Sequence, residues 1–377
     1  MARHRPPRTP QRDRRGLTAT PPHPAAPTER RAWHVVTALA ISSLVTYGAL
    51  TYAFAVLLVP VAAALDATLA TVTGAFSVAL LVSAAAAVPV GRALDRFGGR
   101  PVLVIGTTLG ALTLLTWSYV QTVTGLYATF VLMGLAWAGA HYEPAFVIIN
   151  RWFGADRARP LFAVTVAAGF AATVAMPATQ ALLDVGGWRW ALRVLAAVLA
   201  ACVVVQLGVV RSAPLPAEPA GSGTRPRPWP SAESRAARTA AAPRPGVEVA
   251  WLTLAAAAAA AAVSIVTVHL VAYLTGRGTD PLTAAVAAGS LGIMSVTGRI
   301  LFTAAAARLG VARTSATMVA LQAAGVAALL WLPGTAGLVV LTRTVVDVRR
   351  DLRVEWELSD GFSRAHGGLS CPTLTPG

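Results

Sequence analysis

The sequence predicts an all-α integral membrane protein, and three observations carry the prediction. Of its 377 residues 55% are hydrophobic and only 12% charged, with a mean hydropathy of +0.62, a balance foreign to soluble domains. The apolar residues gather in runs of about 20, the length that takes a helix across a hydrocarbon core of about 30 Å. Arginines collect in alternate gaps between these runs, as they do in cytoplasmic loops.

Nine runs qualify. The first, 35–65, is entered by Trp33 and left at Asp66. The next five are 72–90, 101–120, 126–149, 161–183 and 188–210. A proline- and arginine-rich stretch follows, and then come 249–274, 282–306 and 311–332. A tenth run, 334–348, reaches only about 22 Å at 1.5 Å per residue, and Arg343 sits in its middle. The expected architecture is therefore about nine complete transmembrane helices plus a partial tenth. Its segments are a disordered basic tail (1–32), an N-terminal six-helix bundle (33–210), a cytoplasmic linker (211–247), an incomplete C-terminal bundle (248–347) and a non-membrane tail (348–377). The first run is too long for a signal-peptide core and eight more follow it, so cleavage there is not expected.

The net charge of +15 comes from 31 basic residues, all arginine. Eight of them lie in the first 31 residues. Arg92, Arg96, Arg100, Arg151, Arg157, Arg159, the arginines of 211–244, Arg308 and Arg313 fall on the same side as that tail, against Arg189, Arg193 and Arg277 on the other. This excess places the N-terminus in the cytoplasm of a multi-pass protein of the cell membrane. It leaves no basic domain with interleaved aromatics for a nucleic acid. Without lysine there is no phosphate-binding G-x-x-x-x-G-K-[ST] loop, so no nucleotide is expected. Two cysteines, Cys202 and Cys371, make neither a disulfide framework nor a metal site. No catalytic constellation sits in the polar segments, and no cofactor is implied.

Between runs two and three stands "GRALDRFGGR" (91–100). Gly91 lets a neighbouring helix come close, Gly98 and Gly99 suit a tight turn with positive φ, and Pro101 can open the next helix. Arg92, Arg96 and Arg100 hold the loop on the cytoplasmic side, while Asp95 can pair with Arg96 or Arg100 or cap a helix N-terminus. In the second half Gly298-Arg299-Ile300-Leu301, then Arg308-Leu309-Gly310, echoes the motif after that half's second run, as a parallel repeat requires. Gly91, Asp95, Arg96, Gly98 and Arg100 together resemble the signature loop of the major facilitator superfamily. That resemblance, with the six-helix repeat and linker, spans roughly residues 33–340. It implies a bundle of twelve helices that moves a small solute by alternating access, with the loop latching the two halves and Asp95 facing the second half.

An ionisable residue inside a span is a functional candidate by default. Glu143, in "GAHYEPAFVIINRWF", is flanked by His141 and Tyr142, with Pro144 placed to kink the helix. Gly139, Glu143, Val147 and Asn150 fall on one helical face, and Glu143 could carry a proton or pair with Arg151. His269 in run seven and Arg299 in run eight complete the candidate solute or proton site. Trp188, Arg189 and Trp190 read as an interfacial anchor. The alanines of 255–262 and the series Ala167, Ala171, Ala175 read as surfaces for close helix packing.

Two functions are open at this level. The first is a secondary transporter of a small solute, with proton coupling compatible with the candidates above. The second is a non-transporting product, a truncated relic or a membrane-anchored partner, because the apolar spans stop at nine and 348–377 suggests a shifted reading frame or a truncation near Leu341.

Overall fold

A computed structural model of the chain describes residues 27–210, 247–309 and single positions between 313 and 324. The expected tail 1–32 up to residue 26, the linker, the ninth run, the partial tenth and the C-terminal tail lie outside the described residues. Within them every regular element is helical. Helix α1 (Pro27–Tyr47) passes through a π-helical turn (Gly48–Tyr52) into α2 (Ala53–Ala64), and the three make one crossing. Then come α3 (Leu69–Phe97), α4 (Gly99–Trp117), α5 (Val123–Ala140), α6 (Tyr142–Phe153), α7 (Ala158–Gly169), α8 (Ala171–Val209), α9 (Val247–Gly276) and α10 (Pro281–Leu309).

Local chemistry sets the starts. The Thr68 and Thr122 hydroxyls accept from the Thr71 and Gly125 amides at 3.1 Å, capping α3 and α5. Asp280 does the same for α10, its Oδ2 lying 3.0 Å from the Thr283 amide. Apolar length does the rest. Among the described residues six segments are long and apolar enough to cross a membrane, and one of them, Ala158–Val209, has 52 residues. A continuous helix of that length would reach about 78 Å, more than twice the hydrocarbon core. It is folded at Gly187, whose φ of 76° lies in the left-handed region. Runs five and six are thus a folded pair, as their separate apolar lengths predict.

Two apolar clusters mark the ends of the first-half bundle. At the end where α1 begins, Val35, Val36 and Leu39 pack with Leu103, Ile148, Ile149, Val164 and Val210. At the opposite end Phe54 meets Phe76, Trp117 and Phe130 at centroid distances of 4.7, 6.1 and 5.4 Å. Leu126, Trp188 and Leu199 join that cluster. Trp188 therefore belongs to the core, and of the expected anchor only Trp190 is well exposed. Outward-facing Leu81, Ile105 and Leu112 are exposed, as suits side chains that meet lipid.

The two halves join at the far end. Ala55 and Val56 of α2 and Ala172 and Met176 of α8 pack against Leu270, Val271 and Leu274 of α9 and Ala284, Ala285 and Ala288 of α10. Glycine makes the approach of α10 to the α7–α8 junction close: a Cβ on Gly292 would stand 2.8 Å from the Gly169 carbonyl oxygen, and one on Gly289 3.1 Å from that of Ala172. The Thr173 hydroxyl donates to the Gly289 carbonyl across this seam at 2.8 Å. The Ala171 and Ala175 stripe packs elsewhere, against Gly48 in the π turn. Ala257, Ala258, Ala260 and Ala261 of the alanine run are exposed rather than packed.

Candidate solute cleft at a broken helix

Run four is one apolar sequence but two helices. Pro144 has no N–H, and its ring would collide with the Ala140 carbonyl in a continuous helix. The chain breaks three residues earlier, at His141 (φ −80°, ψ −146°), and α6 restarts so that Pro144 falls in its first turn, where the missing N–H is not needed. The break fixes the His141 ring. Tyr47 stacks on it at 4.0 Å with planes 12° apart, and Trp137 stands 6.0 Å away at 24°. Trp137 donates from Nε1 to the Leu50 carbonyl in the π turn at 3.2 Å. Tyr142 lies 4.7 Å from the Tyr47 ring and stacks on Phe146 at 5.3 Å. His141 Nε2 is shielded from solvent and has no hydrogen-bond partner among the described residues, a condition that ordinarily costs about 1–3 kcal/mol.

Beside this ring is a cleft of about 130 Å³. Ser83, Ala87, Val90, Gly91 and Leu94 of α3 form one wall, and Trp137, Ala138, His141 and Glu143 the other. The α3 residues are four, seven, eight and eleven positions after Ser83, one helical face. Gly91 lines the cleft, and among the described residues no atom lies within 4 Å of where its Cβ would be. Its expected role in close helix approach is therefore corrected: the missing side chain leaves room.

The motif itself is less of a loop than its glycines suggest. Helix α3 continues through Gly91, Arg92 and Asp95 to Phe97, and only Gly98, at φ 85°, separates it from α4. Gly99 has no positive φ; a Cβ there would collide with the Pro144 carbonyl and Ile148. It is Gly99, not Gly91, that permits close approach. Arg100 donates to the Leu207 carbonyl at 2.9 Å, which satisfies an acceptor in the last turn of α8. The Arg96 guanidinium lies 5.2 Å from the Phe97 ring centre. Arg92 and Asp95 are exposed.

Of the other candidates, Glu143 and Asn150 are exposed, while Gly139 is buried against Gly106. The break at His141 interrupts the face expected to join them. The Arg151 guanidinium lies over Gly98, where any side chain would meet it. His269 is half-buried between Val268 and Leu270, away from the cleft walls. Arg299 lies within α10, and its side chain is outside the described residues. The structure brings His141, Glu143 and Gly91 together and adds Tyr47, Ser83 and Trp137. Trp137 precedes His141 by one helical turn, so spacing could have found it; Tyr47 and Ser83 come from other helices.

The profile of the Major Facilitator Superfamily matches residues 39–346. The chain belongs to that superfamily. Among its superfamily relatives, Monocarboxylate transporter 11 of Homo sapiens is 34% identical over 148 residues, 38% of this chain and 31% of that protein. Monocarboxylate transporter 13 of Bos taurus is 29% identical over 270 residues, 71% of this chain and 60% of that protein. Monocarboxylate transporter 4 of Mus musculus is 31% identical over 134 residues, 35% and 27% respectively. The chain thus spans between 27% and 60% of these relatives' length. The superfamily assignment and the apolar helices make it a multi-pass membrane protein of transporter type.

Proposed function

We propose that this chain is a secondary transporter that carries a small monocarboxylate across the cell membrane by alternating access, coupled to protons. The observation that carries the reading is the asymmetry of its two ends. The halves are sealed together at the far end by apolar side chains and two glycines, while a polar-edged cleft lies toward the end where α1 begins. A seam between the halves at one end, with a cleft in the first half toward the other, is the arrangement a carrier rocking about a central site uses in one of its states.

Arg92, Arg96, Arg100, Arg151, Arg157 and Arg159 stand on the cleft's end, which supports a cytoplasmic N-terminus and an inward-facing state. The relatives' names supply the solute class. Arg299, in the eighth run, is the cation proposed to pair with its carboxylate, since a guanidinium offers two parallel donors to that group. Glu143, at the cleft edge, is the proposed proton carrier, and Asp95 the proposed latch residue toward the second half.

The test is uptake of radiolabelled propionate by proteoliposomes holding the purified full-length chain. An inwardly directed proton gradient should drive accumulation, and a protonophore should abolish it. Uptake no greater than in protein-free liposomes would overturn the reading and leave the non-transporting alternative.

A further inference from the structure

We infer that the groove between α4 and α8, on the outer surface of the first-half bundle, binds one anionic phospholipid. Arg100 holds its headgroup and the groove its acyl chain. The groove measures about 270 Å³ and is lined by Arg100, Pro101, Val104 and Ile105 of α4 and by Leu207 of α8. It shares no lining residue with the cleft at His141, and the inference holds whatever solute the chain carries.

The α4 sequence prepares the wall. Positions 101, 105, 108 and 112 recur at three- and four-residue spacing, which puts them on one helical face, and all four are exposed. Val204 and Leu207 of α8 are exposed beside them. Thr108, the polar member, donates its hydroxyl to the Val104 carbonyl at 2.7 Å, so the face turns no unmet donor toward acyl chains. From Arg100 to Leu112 the helix rises about 18 Å at 1.5 Å per residue, close to one leaflet of a core about 30 Å thick. The groove volume equals roughly nine waters at about 30 Å³ each, room for a stretch of one acyl chain.

Charge selects the headgroup. Arg100 Nη2 donates to the Leu207 carbonyl at 2.9 Å, and its Nε is sealed from solvent without a partner among the described residues. Nη1 is neither sealed nor, among the described residues, hydrogen-bonded, so it is the donor within a ligand's reach. A neutral carbonyl leaves the guanidinium charge uncompensated, and a phosphodiester supplies the charge-assisted bond it lacks. Arg92 and Arg96 are exposed on the last turns of α3, and the sequence past α8 continues with Arg211. Such a basic rim attracts acidic lipid. A zwitterionic lipid fits the walls equally well but brings a cation toward these arginines. A free phosphate satisfies Arg100 and leaves the walls unused. An anionic phospholipid uses both, and by bridging Arg100 to the α4–α8 groove it tightens a contact that already joins the two helices.

The test is thermal unfolding of the purified full-length chain, stripped of lipid in a neutral detergent. It is titrated with dioleoylphosphatidylglycerol, dioleoylphosphatidylcholine or glycerol 3-phosphate. Phosphatidylglycerol should raise the midpoint by about 3 °C or more and act at concentrations at least about tenfold lower than phosphatidylcholine. Glycerol 3-phosphate, the headgroup without chains, should leave the midpoint where it was. Ile105→Trp and Leu207→Trp fill the groove from its two walls at exposed positions, so each should keep the lipid-free midpoint and lose the shift. Arg100→Gln should bring phosphatidylglycerol down to the level of phosphatidylcholine, and Arg100→Lys, which keeps a charge, should retain more of the preference. Equal shifts from the two lipids would overturn the inference. So would a shift from glycerol 3-phosphate alone, or one that survives both groove-filling variants.

Discussion

The two ends of the molecule use the same small residues for opposite purposes. At the far end a side chain on Gly292 would strike Thr173 of α8 and one on Gly289 would stand 3.1 Å from the Ala172 carbonyl oxygen, and the halves close on one another. At the other end Gly91 lines a cleft and, among the described residues, meets nothing within 4 Å of where its Cβ would be. A glycine in a membrane helix can therefore be a contact or a vacancy, and the neighbouring helix decides which. The contrast extends to polar groups. Thr173 spends its hydroxyl on the Gly289 carbonyl across the seam, whereas His141 Nε2 has no partner among the described residues.

The contrast can be broken most sharply by labelling. In a chain with Cys202 and Cys371 replaced by serine, Ala87→Cys on the cleft wall should react with a water-soluble maleimide within minutes. Ala285→Cys in the seam should stay unlabelled in the same state. Equal labelling would remove the distinction between open and closed ends.

Overpacking the seam should have the next largest effect. Gly292→Leu forces a branched side chain against Thr173 and the Gly169 carbonyl, and overpacking of this kind costs about 1–3 kcal/mol. The thermal midpoint in detergent should fall, and Ala285→Cys should become reactive in that background. An unchanged midpoint would mean that the seam does not hold the halves together.

Filling the cleft should separate function from stability. Gly91→Val meets no described atom within 4 Å, and removing a mid-helix glycine favours the helix by up to about 1 kcal/mol. Its midpoint should hold or rise while initial propionate uptake drops roughly tenfold, equivalent to about 1.4 kcal/mol. Normal uptake would place the solute path elsewhere.

Thr173→Val should have the smallest effect. It deletes one hydrogen bond of 2.8 Å and keeps the shape, for a loss of about 0.5–1.5 kcal/mol. A change as large as that of Gly292→Leu would show that the hydroxyl, not the glycine contact, makes the seam.

Much of this architecture was legible in the sequence. Runs of about 20 apolar residues locate the crossings because the bilayer fixes their length, and α4, α9 and α10 follow them closely. Helix α3 outlasts its apolar run, 72–90, by seven residues, since it carries Arg92, Asp95 and Arg96 on to Phe97. Charged side chains end an apolar run without ending a helix. Pro144 announced a disruption, yet the break fell at His141, because a proline disturbs the turn before it and tolerates the turn it begins. The shared face of Gly139 and Glu143 failed for the same reason.

What the sequence determined alone was the class of molecule: helical, multi-pass, rich in arginine at one end, with a motif resembling that of a superfamily whose profile matches residues 39–346. Composition, run length and charge are properties of a chain in a bilayer, and they do not depend on which helix stands beside which. The tertiary structure alone decided that Gly99 is crowded and Gly91 free, that Tyr47 covers His141, and that Thr173 bridges to Gly289. Each of these is a distance between residues far apart in sequence, set by how helices pack.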